Sequence, residues 1–220
     1  MTFNPDYYDP VSIADIVFPT QYSSDVIHDI VSGQLPFPMS GNNGILLYGV
    51  PGTGKSALAK LLPDTMELVR SGEEADNHYV QIQPGSNGAA VISTIANRAL
   101  TYPLSGRYHY FVLDEVDNLT LAAMLSLKSA MNTPNTLFIL TTNYLSKVEI
   151  GVQNRCHRIA FNAAPAVAWL LLFKRVLTDL HVAIPTDSVL LPVIEGCNGS
   201  ARKVVSAAFQ FANTQKRIQR

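Results

Sequence analysis

The chain has 220 residues, 47% apolar and 15% charged, a balance that supports one full domain with at most a small appendage and excludes intrinsic disorder. Two cysteines, Cys156 and Cys197, lie far apart and in no CxxC pair, which argues against a disulfide framework or a structural zinc site. The net charge of −1 hides an asymmetry, because residues 1–146 hold 6 Lys/Arg against 13 Asp/Glu while residues 147–220 hold 10 against 4; an uneven solvated surface accounts for it, as does a head-to-tail assembly in which an acidic face meets a basic one.

The N-terminus, MTFNPDYYDP, has neither a basic segment nor an apolar run, so no secretory signal is expected. The longest apolar run, Ala163 to Phe173, contains Pro165 and falls well short of the ~18–20 residues of a membrane span. A reducing cytoplasm fits these features and the sparse cysteines.

Gly33 to Gly44 (GQLPFPMSGNNG) reads as a loop leading into a first strand at Ile45 to Tyr48. Further short apolar runs at Tyr79 to Ile82, Tyr108 to Leu113, Thr136 to Thr141 and Arg158 to Phe161 are too short for helices and read as strands. Helical segments lie between them. Lys55 to Leu62 is expected to stop at Pro63, Ala90 to Leu100 stops before Pro103, and Leu119, Ala123, Leu127 and Met131 recur at four-residue steps on one face. Strands alternating with helices predict an α/β fold with a mainly parallel sheet sandwiched by helices.

After Asn162-Ala163-Ala164-Pro165 only helical periodicity remains: Leu170, Phe173, Leu177 and Leu180, then Ser188 to Glu195, then Ala201 to Gln215. The expected organisation is a core over residues 1–162 and a small helical lid over 163–220.

GVPGTGKS, spanning Gly49, Val50, Pro51, Gly52, Thr53, Gly54, Lys55 and Ser56, fits the phosphate-loop template G-x-x-x-x-G-K-[ST]. A buried strand, ILLY, precedes it and a helix, SALAKLL, follows, which is the context the motif needs. Glycines let successive N–H groups turn inward onto phosphate oxygens, and the helix N-terminus adds its positive dipole end. Lys55 is expected on the β- and γ-phosphates of ATP, and Ser56 on Mg²⁺.

YFVLDEVD, Tyr110 to Asp117, is an apolar strand ending in two adjacent carboxylates. Such an ending is costly unless the acids face a cation, so Asp114 is the candidate for the Mg²⁺ shell and Glu115 for the base that deprotonates the attacking water.

GVPGTGKS, VLDEVD, FILTTN, NRC at Asn154 to Cys156 and GSARK at Gly199 to Lys203 together resemble the ordered motifs of AAA+ ATPases, and most closely the small ATPase subunits of sliding-clamp loaders of the phage and replication factor C types. The likeness runs over nearly the whole chain. It implies a P-loop fold with a parallel five-stranded sheet and a C-terminal helical lid, and an N-terminal segment, Tyr7 to Pro19, that packs on adenine.

By that resemblance Asn143 is the sensor that polarises the attacking water or reads the γ-phosphate, and Arg155 is a finger inserted into the neighbouring subunit's ATP site. Arg202 reaches from the lid to the phosphates of its own subunit. Gln83 matches a polar residue that reorients the catalytic Glu, and Lys128 a basic residue on the helix linking DNA contact to the ATP site. Asn154 stands where the family has Ser, Met124 where Gln is common, and Arg98 is the one basic residue between Pro84 and Leu104. Clamp-loader subunits continue beyond this point into a helical collar, so the expectation is a motor part without one. Cys156-His157 reads as packing rather than a metal pair.

The function implied is Mg²⁺-dependent ATP hydrolysis between subunits of a homo- or hetero-oligomer, with DNA and a replication partner (clamp, helicase or initiator) as its targets and no membrane. Two alternatives stay open. One is a viral or plasmid AAA+ ATPase that drives a helicase, replication-initiation or transposition step. The other is an ATP-dependent assembly switch with little turnover.

Overall fold

The structure, a computed structural model, describes residues 5–39 and 41–218. Five strands form its sheet: β1 (Gly44–Tyr48), β2 (Asp76–Gln81), β3 (His109–Asp114), β4 (Thr136–Thr142) and β5 (Cys156–Ala160). Their order is β2-β3-β4-β1-β5, and every pairing is parallel. All C-terminal strand ends therefore share one edge. Because β4 lies between β1 and β3, the loops leaving β1 and β3 straddle its end and form the crevice in which parallel sheets bind ligands.

Alternation along the strands divides the core into two layers. Ile45, Leu47, Tyr110, Val112, Leu137 and Ile139 face α1 (Gln21–Ser32) and α2 (Lys55–Ser71), where Ile27, Ile30, Leu58, Leu62 and Met66 are buried. Leu46, Phe111, Leu113, Phe138 and Leu140 face α3 (Ala89–Ala99), α4 (Leu121–Ala130) and the single turn α5 (Ile150–Gln153). On α4 and its flanks, Leu119, Ala123, Leu127 and Met131 are all buried, as the four-residue repeat predicts.

One expectation is corrected. The helix after the phosphate loop does not stop at Pro63 but runs on to Ser71. Proline at this position forfeits one backbone hydrogen bond to the preceding turn, yet Leu62, Met66 and Glu67 beside it are buried against the sheet side, and that packing outweighs the local cost. Gly72, in the left-handed conformation, ends the helix through its N–H on the Leu68 carbonyl.

The last three helices, α6 (Leu170–Asp179), α7 (Asp187–Glu195) and α8 (Ala201–Ile218), enclose a third cluster around Trp169, Phe173, Leu177, Leu190, Ile194 and Val204. The N-terminal segment runs between clusters: Ile13 and Phe18 pack on the sheet side, Tyr8 and Val17 on the third cluster, and the Tyr8 hydroxyl donates to Asp179 Oδ2 over 3.1 Å. No helix among the described residues is long and apolar enough to cross a membrane.

Candidate functional site: a phosphate loop facing an acidic strand end

The loop from Gly49 to Gly54 leaves β1 and enters α2. Gly49 has φ 146° and lies so close to the Phe161 carbonyl that a Cβ would meet it at 2.5 Å; no other residue fits there. Thr53 is buried and ties the loop down, its hydroxyl donating to the carbonyls of Val50 (3.1 Å) and Phe161 (2.8 Å). Lys55 is only 6% exposed, and its Nζ donates to the carbonyls of Gly49 (2.9 Å) and Val50 (2.7 Å) at the mouth of the loop. Burial lowers the Lys55 pKa to about 8, against the opposing pull of Asp114, Asp117 and Glu115.

Asp114 ends β3, 4% exposed, and its carboxylate is held from three sides. Oδ1 accepts from the hydroxyls of Ser56 (2.8 Å) and Thr141, and Oδ2 accepts from the Tyr79 hydroxyl at 2.9 Å. Burial, then the bond to Asp114, pushes the Tyr79 phenol above its ordinary range, so it stays a proton donor. Lys60 Nζ caps the other side of Tyr79, 4.4 Å from the ring centroid.

Glu115 is half-buried with φ 61°, a left-handed conformation that costs a non-glycine residue ~1–3 kcal/mol and gathers at functional sites. Its backbone N–H on Thr141 Oγ1 (3.0 Å) fixes the turn. Asp117 Oδ1 accepts from Thr142 Oγ1 (2.8 Å) and from the backbone N–H of Asn143 (3.2 Å), so the acidic turn and the end of β4 are laced together. Asn143 itself is half-buried one residue past β4.

The other side of the loop meets α8. The Ala201 N–H donates to the Gly52 carbonyl at 3.0 Å, and a Cβ on Gly52 would strike Ser200 Oγ at 2.6 Å. Arg202, one residue further, is exposed in the first turn of α8.

Arg155 stands apart. It precedes β5, whose first residue pairs with Gly44 and whose last pairs with Tyr48, so a strand length of ~15 Å separates it from the phosphate-loop end of the sheet. Its guanidinium donates to Asn132 Oδ1 (3.1 and 3.0 Å) and to the Gly151 carbonyl (2.9 Å). Gln83 is exposed beyond β2. Lys128 Nζ reaches Glu149 Oε1 at 3.3 Å. Cys156 is buried, its thiol pushed up to about 12 by burial, and the His157 ring packs edge-on against Phe37.

The structure thus brings together Gly49 to Ser56, Asp114, Glu115 and Asn143, with Arg202 at the rim, and sets Arg155 at the opposite end. Sequence reasoning missed Tyr79 and Thr141. The signal for Thr141 was a hydroxyl inside an otherwise apolar strand; Tyr79 gave none, since an aromatic residue in a strand needs no special reason.

Residues 45–163 match the ATPase family associated with various cellular activities (AAA). The chain is similar to Replication factor C small subunit 2 of Pyrobaculum islandicum, 29% identical over 96% of this chain and 64% of that protein, and to Replication factor C subunit 3 of Schizosaccharomyces pombe, 26% identical over 90% and 56%. It spans less than two thirds of the length of these relatives. In fold it is similar to the RuvB Holliday junction branch migration motor of Thermotoga maritima, with a TM-score of 0.74 at 14% identity over 97% of this chain and 68% of that one.

Proposed function

Since this chain belongs to the AAA family of ATPases, we propose that it hydrolyses ATP with Mg²⁺ as a motor subunit of the clamp-loader type, acting in DNA replication. The observation that carries this reading is the convergence of Lys55, Ser56 and Asp114 at the crevice of the sheet, with Ser56 Oγ and Asp114 Oδ1 only 2.8 Å apart. Paired oxygen donors of this kind suit Mg²⁺, which when bound neutralises charge on the β- and γ-phosphate oxygens.

In this reading the N–H groups of Gly49 to Gly54 and the first turn of α2 cradle the phosphates. Lys55 exchanges its loop carbonyls for phosphate oxygens. Glu115, held in its strained turn by Thr141, takes the proton of the attacking water, and Asn143 orients that water. Asp114, fixed by Tyr79 and Thr141, does not need to reorganise as charge develops.

Residues 1–162 form the core and 163–220 the lid. The lid touches the phosphate loop directly through Ala201 and Gly52, so Arg202 is well situated to couple the γ-phosphate to lid position. Arg155, about a strand length from its own loop, serves the site of a neighbouring subunit, and the acidic and basic segments favour head-to-tail contact in a homo- or hetero-oligomer. Leu100, Tyr102 and Leu104, 80%, 89% and 85% exposed between α3 and β3, offer an apolar surface for a protein partner. The compartment is the cytoplasm.

Steady-state ATP turnover, measured with and without primer–template DNA and a sliding clamp, tests the reading. Stimulation by DNA and clamp together is expected. Duplex unwinding without a clamp would select a helicase-driving role, and nucleotide-dependent oligomerisation with negligible turnover would select an assembly switch.

A further inference from the structure

At the far end of β2 and β3 from Asp114, three side chains converge on the face toward α3. Asp76 pairs in register with His109, and His78 lies two residues along β2, so all three project to the same side. The side chains of His109, Asp76 and His78 are 1%, 5% and 19% exposed. His109 Nδ1 lies 2.6 Å from Asp76 Oδ2, and His78 Nε2 lies 3.1 Å from Asp76 Oδ1. Asp76 Oδ2, His109 Nδ1 and His78 Nε2 are buried and make no hydrogen bond outside this cluster. One ligand atom from each residue falls within 4.8 Å of the others.

The other atoms of the cluster are already engaged. Arg98 Nη2 donates to Asp76 Oδ1 at 3.2 Å. His109 Nε2 lies 2.9 Å from the Thr101 carbonyl, which can only accept, so the ring proton sits on Nε2. In the neutral ring this turns the Nδ1 lone pair toward a carboxylate oxygen at 2.6 Å, a repulsive arrangement unless a cation lies between them.

We infer that Asp76, His78 and His109 form a binding site for a divalent transition-metal ion, and that Zn²⁺ is the ion it fits. Two imidazoles and one carboxylate make a three-ligand zinc set with a fourth position for water. Ligand atoms around a tetrahedral zinc stand ~3.3 Å apart, from bonds of ~2.0 Å, so the tightest pair opens by less than ~1 Å and the widest, within 4.8 Å, closes by at most ~1.5 Å. Thr101 and Arg98 serve as the outer partners that orient the ligands. Arg98 is 42% exposed, and water screens its charge from the ion.

Such an ion staples the edge strand β2 to β3. Through His109 and the Thr101 carbonyl it also anchors the loop that exposes Leu100, Tyr102 and Leu104. Cysteine arithmetic could not reveal this site, since none of its ligands is a cysteine.

The test uses the full chain, stripped with a chelator and titrated with Zn²⁺ in millimolar Mg²⁺ to occupy the Asp114 region. The expected result is one zinc per chain, a raised Tm, and visible absorption from the Co²⁺ form. His78→Gln, which leaves the Asp76–Arg98 and His109–Thr101 bonds intact, removes a direct ligand and is expected to weaken binding by more than the ~10–100-fold that loss of an outer partner costs, and to remove the Tm shift. Zinc-edge X-ray absorption of the unmodified protein, showing two imidazoles and one carboxylate oxygen, supports the site without any variant. Substoichiometric zinc, unchanged affinity in folded His78→Gln, or an absorption spectrum lacking imidazole ligands would overturn it and leave a proton on His109 as the cation that pairs with Asp76.

Discussion

The Ser56 hydroxyl donates to Asp114 Oδ1 across 2.8 Å, joining the first turn of α2 to the last residue of β3 over 58 positions of sequence. The two motifs are therefore in register as folded.

Lys55 gives the pH dependence. With its pKa lowered to about 8 by burial, the amine is charged at pH 7 and neutral well above pH 8, whereas phosphate binding needs the ammonium form. ATP affinity is expected to fall as pH rises through 8, by up to about tenfold per pH unit, with proton uptake on binding. Calorimetry in buffers of different ionisation enthalpy measures both, and Lys55→Arg should flatten the dependence. Affinity that stays constant from pH 7 to 9.5 would refute the assignment.

Glu115→Gln should bind ATP normally and lose about 10²–10⁴ in turnover, because the lost group acts on the attacking water rather than on the ground state. Lys55→Ala should instead lose binding itself. Nucleotide titration alongside single-turnover hydrolysis separates the two; wild-type turnover in Glu115→Gln would mean another base.

Tyr79→Phe removes one of three hydroxyls on Asp114. A hydrogen bond to a charged group contributes about 1.5–3 kcal/mol, but Ser56 and Thr141 remain, so the expected effect is a several-fold rise in the Mg²⁺ concentration needed for half-maximal rate with little change in ATP affinity. An unchanged Mg²⁺ profile would make Tyr79 a packing residue only.

Arg155→Ala should be nearly inactive alone, since such fingers contribute ~10³–10⁵ in rate. Mixed with Lys55→Ala it should regain activity: one subunit keeps an intact ATP site and the other donates its arginine. High salt should weaken the recovery if opposed charges guide the contact. A mixture no more active than either variant, under conditions where the wild type is oligomeric, would rule out action between subunits.

Arg202→Ala should uncouple the lid from the nucleotide. ATP analogues are expected to protect residues 163–220 from protease in the wild type and much less in the variant, because an arginine bridging lid and γ-phosphate is a contact made only with triphosphate bound. Equal protection in both would exclude that bridge.

How far these residues were legible depended on where their information lies. The glycines of the phosphate loop and the acids closing β3 are dictated by local backbone and charge, so their spacing showed in the sequence. The contacts that fix Asp114 are not local: Thr141 and Tyr79 reach it from 27 and 35 positions away, and only the strand order brings them together. The helix α1 is not legible in the sequence because Thr20 and Gly33, its caps, bracket a segment of mixed polarity. The helix after the loop reads short in the sequence because Pro63 is a strong local signal and the burial of Met66 and Glu67 a tertiary one. The His109–Asp76 pair escaped notice for the same reason as Tyr79.

The strand order also dictates when this molecule can become itself. The interior strand β1 pairs with β4 and β5, and about ninety residues separate Tyr48 from Thr142. At ~5–20 residues per second of synthesis, the apolar segment Ile45–Tyr48 emerges several seconds before either neighbour exists. During that interval Gly49 lacks the Phe161 carbonyl against which it packs, and Asp114 lacks Thr141. The nascent chain therefore carries its phosphate-loop sequence long before it carries a nucleotide site, and a ribosome stalled before β4 displays an unfinished sheet whose strand β1 is open to chaperones on both sides.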